Sequence, residues 1–244
     1  SGSRRKMDGL KTLPDVHFDG VTLTIGGAYQ LDTSTSASYH EALVALPLFY
    51  VPQPKRILIL GGGDGCSAGV ALRFPTVESV LIVDRDRRVT DLARESSGLR
   101  ALNEAALMSP KVAVVTEDAH EFLQEDSGPL WDAIILDFTA TRGEESIDSA
   151  AMHDLVEARL SPTGAWARNL DFPWSAAKHW VTGTPARFFQ TARESFLVAT
   201  RNYTSRASLE LRAMKTLTIG RILALMDIPA VSRAEAEARA LFDV

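Results

Sequence analysis

Four aspartates and one glycine-rich turn have spacings that could support catalysis. The segment ILILGGGDGCSAGVAL, residues 57–72, holds four glycines around one acid, Asp64. Three further aspartates, Asp84, Asp118 and Asp137, each stand at or near the end of an apolar run. Carboxylates placed in this way can hold hydroxyl and amino groups or take up a proton from a reacting group.

The glycine-rich turn is typical of a nucleotide or nucleoside site. Residues 63–68, GDGCSA, match G-x-G-x-x-A, and Asp84 follows about 20 residues later. A P-loop is excluded because no Gly-Lys-Ser/Thr follows the glycines. Asp64 would repel a pyrophosphate at a helix N-terminus by roughly 1 to 4 kcal/mol. It would instead attract a cation such as S-adenosylmethionine or its decarboxylated form, and its alternative role is to cap the following helix.

The acids at the next two strand ends also have two interpretations each. Asp84 is expected to accept hydrogen bonds from ribose hydroxyls, and the alternative is a solvated acid at the end of a strand. Asp118 could accept a hydrogen bond from the adenine amino group, and the alternative is an N-cap of the next helix. The residues alone leave both choices open.

The elements that must position these acids form an alternating series. Apolar strands are separated by amphipathic helices, which predicts an α/β fold with a doubly wound, mostly parallel sheet of the Rossmann-like, class I methyltransferase type. Ligands bind outside the carboxyl ends of the strands in such sheets. The predicted strands are KRILIL (55–60), SVLIVD (79–84), KVAVVTED (111–118), WDAIILD (131–137) and GAWARNL (164–170).

The flanking regions have weaker patterns. Residues 16–31 alternate apolar and polar with glycines between them, which predicts a short β-hairpin. A helix is expected from Tyr39 to near Pro52, and another over 174–191. The segments 195–205 and 207–216 could pair as antiparallel strands, and a helix is predicted from Arg233. We therefore divide the chain into a tag remnant with a small β-hairpin region, 1–36, and a Rossmann-like nucleoside-binding catalytic domain, 37–244.

Composition bounds the class of protein. The 244 residues carry a formal net charge of -5 and form no basic stripe, which argues against nucleic acid as a partner. The single cysteine, Cys66, excludes an internal disulfide and indicates a reducing, cytoplasmic setting. No apolar run approaches the roughly 20 residues needed to span a bilayer, so no membrane partner is expected. The histidines lack metal-ligand spacing, so no metal is expected either.

Several motifs together resemble the spermidine synthase (polyamine aminopropyltransferase) family, of which this would be a divergent member. The similarity extends from about Leu23 to Gly164, and more loosely to Leu211. The motifs that carry it are YHEALVALPL, GGGDG, VDRD, EDAHEFL and IILDFTAT. The resemblance implies a homodimer and a direct displacement at a sulfonium, which is already a good leaving group and needs no metal.

The resemblance also implies roles for individual residues. Asp137 would take the proton from the attacking amine, with tyrosine hydroxyls nearby, because an amine of pKa near 10 is protonated at neutral pH. The implied catalytic residues are Asp137, Tyr39 and Tyr203. The implied residues at the donor are Gln30, His40, Gly61, Gly63, Asp64, Gly65, Asp84 and Asp118.

Departures from the family pattern leave the amine acceptor open. Ala140 stands where the family has a second aspartate, Arg142 adds a positive charge nearby, and Asn169 replaces a glutamine. We expect transfer of an aminopropyl group from decarboxylated S-adenosylmethionine to a small amine. The alternatives are an S-adenosylmethionine-dependent N-methyltransferase, 3-amino-3-carboxypropyl transferase or cyclase, and a non-catalytic family member. A nicotinamide-dependent dehydrogenase shares the glycine loop but does not explain Asp64.

Overall fold

The computed structural model describes residues 15–20, 22–138, 150–170, 186–190 and 194–200. The strands are β1 (Val16–Phe18), β2 (Thr22–Ile25), β3 (Ala28–Asp32), β4 (Arg56–Gly61), β5 (Ser79–Val83), β6 (Val112–Val115), β7 (Trp131–Asp137), β8 (Leu160–Leu170), β9 (Ala186–Gln190) and β10 (Ser195–Thr200). The helices are α1 (Ser36–Leu48), α2 (Cys66–Leu72), α3 (Arg87–Glu95), α4 (Ser97–Leu102), α5 (Ala119–Glu125) and α6 (Ala150–Ala158), with a 3₁₀ turn at Ala106–Met108.

The large sheet has the predicted doubly wound, mostly parallel form. Within the described ranges its strand order is β6-β5-β4-β7-β8-β10-β9. The first five strands of that order are mutually parallel, and β10 runs antiparallel to both β8 and β9. The central residues of β4 and β7 are apolar because helices cover both faces of the sheet, as in other parallel sheets.

The core lies on both faces of β4 and its neighbours. Ile57 and Ile59 point to the face covered by α1 and α2, and Leu58 and Leu60 point to the face that includes Trp166. All four β4 side chains are fully buried, and each contributes about 1.5 to 3 kcal/mol to folding relative to an exposed side chain. None of the helices in the described part of the chain is long and apolar enough to cross a membrane.

The strand order reverses at β4, and this reversal creates the crevice for a ligand. The chain proceeds from β4 to β5 and β6 on one side, and then returns to place β7 and β8 on the other. Gly61 at the end of β4 lies beside Asp137 at the end of β7. The carboxyl ends of two adjacent strands therefore meet at the point where α/β sheets bind ligands.

The N-terminal region differs from the predicted hairpin because it has three strands. The strands β1, β2 and β3 form an antiparallel sheet. Two tight turns make this possible: Gly20 has φ +89°, and Gly26 and Gly27 have φ +58° and +75°. Glycine reaches such angles without steric cost, so the chain reverses twice where one reversal was predicted.

Two predicted helices also need correction. The helix α1 starts at Ser36, ahead of Tyr39. The helix predicted over 174–191 is wrong at 186–190, because these residues form β9 and pair with β10. The partner strand, β10, is the next segment of the chain. Backbone hydrogen bonds to it outweigh the local helical pattern of residues 186–190. The strand at β10 is confirmed, whereas the predicted partner at 207–216 and the helix from Arg233 lie outside the described residues.

Candidate functional site

The glycine loop comes directly after β4. It lies so close to Asp137 and Asp84 that its glycine positions have no room for a side chain. Gly62 has φ +64°, and a Cβ atom there would lie 2.8 Å from Oδ2 of Asp137. A Cβ at Gly63 would lie 2.6 Å from Oδ2 of Asp84. Gly61 and Gly65 also have positive φ angles, +79° and +82°. The glycines thus allow the loop backbone to pack directly on two carboxylates.

Four N–H groups of this loop already have acceptors within the protein. Gly63 N–H donates to Oδ2 of Asp84 at 2.8 Å, and Cys66 N–H donates to Oδ1 of Asp64 at 2.8 Å. Gly62 and Gly65 donate to the carbonyl oxygens of Asp137 and Gly62, respectively. A phosphate-binding loop instead directs its N–H groups at the ligand. The geometry therefore does not favour a pyrophosphate in this loop.

Asp84 lies at the carboxyl end of β5 and holds the loop in place. Its Oδ1 accepts a hydrogen bond from Asp86 N–H at 2.8 Å, in addition to the Gly63 bond at Oδ2. Burial raises the pKa of Asp84, and these two backbone hydrogen bonds oppose that shift. Each carboxylate oxygen can accept more than one hydrogen bond, so Asp84 retains capacity for ribose hydroxyls.

Asp137 is the most enclosed acid of the group. Its side chain is 8% exposed, Ser67 Oγ donates to its Oδ2 at 2.7 Å, and Tyr39 Oη donates to its Oδ1 at 3.4 Å. His40 Nε2 lies 3.9 Å from Oδ2. Burial raises the pKa of Asp137, whereas the nearby His40 and the two hydroxyl donors lower it.

Tyr39 and His40 come from adjacent positions of α1, which packs against β7, β8 and β10. Their rings meet edge to face with centroids 4.9 Å apart, and Tyr39 also contacts Phe196 at 5.7 Å. His40 Nδ1 lies 2.7 Å from the carbonyl oxygen of Ser36. Burial and the charge of Asp137 raise the pKa of Tyr39 well above its ordinary value, so its hydroxyl stays protonated and donates.

Two polar residues extend the site toward β8 and β10. Asn169 is near the end of β8, and its Nδ2 donates to Oε2 of Glu194 at 3.4 Å. Both residues also affect the pKa of the Tyr39 hydroxyl: the Asn169 amide lowers it, and the Glu194 carboxylate adds to its rise. The surroundings of Tyr39 are thus polar on one side and aromatic on the other.

Two other predicted site residues make hydrogen bonds within their own segments, and others lie beyond the described ranges. Asp118 is exposed and caps α5, accepting from His120 N–H at 2.8 Å and Glu121 N–H at 3.2 Å. Gln30 lies in β3, and its side-chain amide donates to the carbonyl oxygen of Ala28 at 3.1 Å. Its contact with a ribose stays a prediction, as does that of Asp118 with adenine. Tyr203, Ala140 and Arg142 lie outside the described residues.

Two residues at the site were missed in the sequence. Ser67 is fully buried and bonds to Asp137, and its position just after the glycine turn could have drawn attention to it. Asn103 is also fully buried, and its Nδ2 donates to the carbonyl oxygen of Asp64 at 2.8 Å. It lies in the turn that follows α4, and no local pattern connects it to the loop.

Cys66 belongs to the only group of three potential metal ligands in the described part of the chain. Ligand atoms of His40, Asp64 and Cys66 lie within 4.8 Å of one another. Burial raises the pKa of the Cys66 thiol well above its ordinary value, so a metal would have to displace its proton. This protonated, buried thiol favours a packing role, and the expectation that no metal takes part stays a prediction.

The arrangement as a whole favours a cationic ligand. Asp64 contributes to the raised pKa values of both Asp84 and Asp137, so the three carboxylates interact electrostatically across the loop. A crevice lined by acids lowers the energy of a bound ammonium or sulfonium and raises that of a phosphate. A buried carboxylate with hydroxyl donors at hand can also receive a proton.

Comparisons with a family model and with curated proteins indicate the same group of related proteins. The model of the spermine/spermidine synthase domain matches residues 36–174. The chain is 36% identical over 146 residues to the polyamine aminopropyltransferase of Oceanobacillus iheyensis, a match that covers 59% of this chain and 28% of that protein. It is 33% identical over 156 residues to putrescine N-methyltransferase 4 of Nicotiana tabacum, covering 64% and 40%. The chain thus spans less than half the length of these relatives.

Solved structures show the same fold. A spermidine synthase in complex with the transition state analogue AdoDATO superposes with a TM-score of 0.74 at 20% identity, covering 85% of this chain and 78% of that one. The spermidine synthase of Thermotoga maritima gives 0.71 at 20% identity, covering 85% and 76%. At this identity the likeness concerns the fold.

Proposed function

The chain belongs to the spermine/spermidine synthase domain family, and on this premise we propose that it transfers an alkyl group from an adenosyl sulfonium donor to a small amine. Aminopropyl transfer from decarboxylated S-adenosylmethionine is the first choice. The observation that carries the proposal is the set of carboxylates, Asp64, Asp84 and Asp137, around a loop in which four N–H groups are already bonded to the protein.

The donor would lie along the glycine loop. Asp84 would accept bonds from the ribose hydroxyls, as carboxylates at this strand end do in other nucleoside sites. Asp64 would pair with the ammonium of the donor chain, since its carboxylate is half-buried and stands at the centre of the loop. Asp118 and Gln30 would contact adenine and ribose in the bound state, and His40 would face the donor chain.

The acceptor amine would bind on the Oδ1 side of Asp137. It arrives protonated, and transfer of one proton to Asp137 leaves a lone pair on nitrogen. The nitrogen then forms a bond to the carbon next to sulfur as the carbon–sulfur bond breaks and methylthioadenosine departs. Tyr39 would orient the amine through its hydroxyl. Alignment of nitrogen, carbon and sulfur supplies the remaining acceleration.

A second candidate is the use of S-adenosylmethionine itself, with transfer of a methyl or 3-amino-3-carboxypropyl group or cyclisation of the donor's own chain. The match to a putrescine N-methyltransferase at an identity close to that of the aminopropyltransferases favours it. Ala140 and Arg142 also favour it, because they replace a family acid and add a cation near the acceptor motif. The homodimer and the cytoplasmic location stay predictions, as does the division at residue 36.

The experiment is calorimetric binding of the two donors followed by mass spectrometry of the nucleoside product. Binding of the decarboxylated form alone, with methylthioadenosine released when amines are added, would support aminopropyl transfer. Preference for S-adenosylmethionine with S-adenosylhomocysteine as product would support methyl transfer. Binding of neither donor would contradict the proposal. The Asp137→Asn variant is the control, because it should bind the donor and release product at least about 100 times more slowly than the wild type.

A further inference from the structure

We propose that Ser67 is a positioning residue for Asp137: its hydroxyl holds Oδ2 of the carboxylate and leaves Oδ1 for the amine. The proposal rests on the proposed function, because it names a residue that prepares the same carboxylate for the reaction. Ser67 acts only through Asp137.

The two carboxylate oxygens of Asp137 have different donors. Ser67 Oγ donates to Oδ2 at 2.7 Å, whereas Tyr39 Oη approaches Oδ1 at 3.4 Å. The backbone of Gly62 also lies against Oδ2, since a Cβ there would be 2.8 Å from it. Oδ2 therefore faces the loop and the first turn of α2, with His40 Nε2 3.9 Å away, and Oδ1 faces the Tyr39 hydroxyl.

Ser67 is well placed to hold this orientation. It is fully buried in the first turn of α2, so its hydroxyl meets the carboxylate away from solvent. A short hydrogen bond to an ionised acceptor is stronger than one between neutral groups. The bond stabilises the charged form of Asp137, which is the form that can take up a proton, against the effect of burial.

In the described part of the chain, the other ionisable groups that act on Asp137 come from α1 and from the loop before α2. Tyr39 and His40 come from α1, and Asp64 and Cys66 come from the loop and the start of α2. Glu194, ahead of β10, acts on Tyr39. These groups are the same in a Ser67 variant, so a change in the titration of Asp137 reports the loss of the hydroxyl.

The test compares Ser67→Ala, Ser67→Thr and a matched control, Ser161→Ala. Ser161 has a buried hydroxyl with no hydrogen-bond partner among the residues described, and it lies next to Leu160, which pairs with Trp131 at the other end of the sheet. The readout is the pH dependence of kcat/KM with the donor and amine that the wild type turns over. Ser67→Ala should move the acidic limb up by about one to two pH units, the size expected when a carboxylate loses one hydroxyl donor.

A second readout does not depend on turnover. The carboxyl carbons of aspartate are labelled with ¹³C, and the Asp137 signal is assigned by its loss in Asp137→Asn. Its titration midpoint should rise in Ser67→Ala, return toward the wild-type value in Ser67→Thr, and stay unchanged in Ser161→Ala. If the wild type turns over no donor, the proposed function fails while this titration still decides the role of Ser67.

The outcomes are distinct. An unchanged Asp137 midpoint and an unchanged acidic limb in folded Ser67→Ala would overturn the proposal. A fall in kcat/KM by the same factor at every pH, with an unchanged midpoint, would show a packing role and would also overturn it. If Ser67→Ala does not fold, Ser67→Cys replaces it, because a thiol is a weaker donor and should give a smaller upward shift.

Discussion

Replacing Asp64 by asparagine separates the two roles that its side chain can have. Oδ1 of Asp64 accepts the N–H of Cys66 at 2.8 Å, and the amide oxygen of an asparagine can accept the same bond. Asp64→Asn therefore keeps the turn before α2 and removes the negative charge. Asp64→Ala removes both the turn bond and the charge.

The expected loss in donor affinity follows from the charge. A hydrogen bond between a half-buried carboxylate and an ammonium contributes about 1.5 to 3 kcal/mol, which corresponds to about a 10- to 150-fold change in Kd. Methylthioadenosine has neither the ammonium nor the sulfonium. Its affinity should change by less than about twofold in Asp64→Asn, since no charge pair is lost.

The assay is isothermal titration calorimetry of both sulfonium donors and methylthioadenosine against the wild type and the two variants. Asp91→Asn is the matched control, because Asp91 is an exposed acid of α3 that pairs with Arg87. It should bind all three ligands as the wild type does. Circular dichroism before each titration checks that the variants are folded.

Two results would refute the reasoning about Asp64. If Asp64→Asn reduced the affinities for the donor and for methylthioadenosine equally, the side chain would stabilise the loop and would not pair with the ligand. If Asp64→Asn bound both as tightly as the wild type, while Asp64→Ala bound neither, helix capping would be its whole role. The helix-capping interpretation would then replace the ligand-binding one.

Three more changes have expected outcomes. Asp137→Asn removes the proton acceptor, so turnover should fall about 100- to 10,000-fold while calorimetric donor affinity stays within about threefold. Glu41→Gln breaks the buried ion pair with Arg73, which keeps its second partner Glu104, and should lower the free energy of unfolding in urea by about 1.5 to 3 kcal/mol, whereas Lys55→Gln, at an exposed pair, should cost under about 1 kcal/mol. Burial lowers the pKa of His153 to about 3, below its unfolded value of 6.5, so the unfolded state binds more protons as pH falls below about 6.5. His153 should therefore contribute a loss of about 2 kcal/mol of stability between pH 7 and 5, so that stability falls by about that much less in His153→Phe, and an equal loss in both proteins would contradict this assignment.

The strands of the sheet were predictable because each is a local pattern. The apolar runs that became β4, β5 and β7 end within a residue or two of the predicted bounds. The acids at their ends could be placed in one crevice because parallel strands bring their carboxyl ends to one edge. The prediction for residues 186–190 was wrong because the pairing that makes them a strand is not local. β9 pairs with β10, and β10 pairs with β8, which lies farther back along the chain.

The sequence predicts Asp137 as a site residue but does not predict which side chains contact it. The motifs identify the aspartate itself and the glycines beside it. They do not show that Ser67 donates to Oδ2, because that bond joins residues 70 positions apart. Nor do they show that Asn103 supports the loop through the carbonyl of Asp64, which is 39 positions away.

The sequence by itself determined the alternation of strands and helices, the glycine turn and the acid at each strand end. These features depend on the period of apolar residues and on the backbone freedom of glycine, which act over a few residues. Only the tertiary structure decided which oxygen of Asp137 faces α2, that α1 brings Tyr39 and His40 to it, and that four N–H groups of the loop already have acceptors in the protein. Those facts follow from the register of β4 against β7 and from the packing of α1, which depend on contacts between distant parts of the chain.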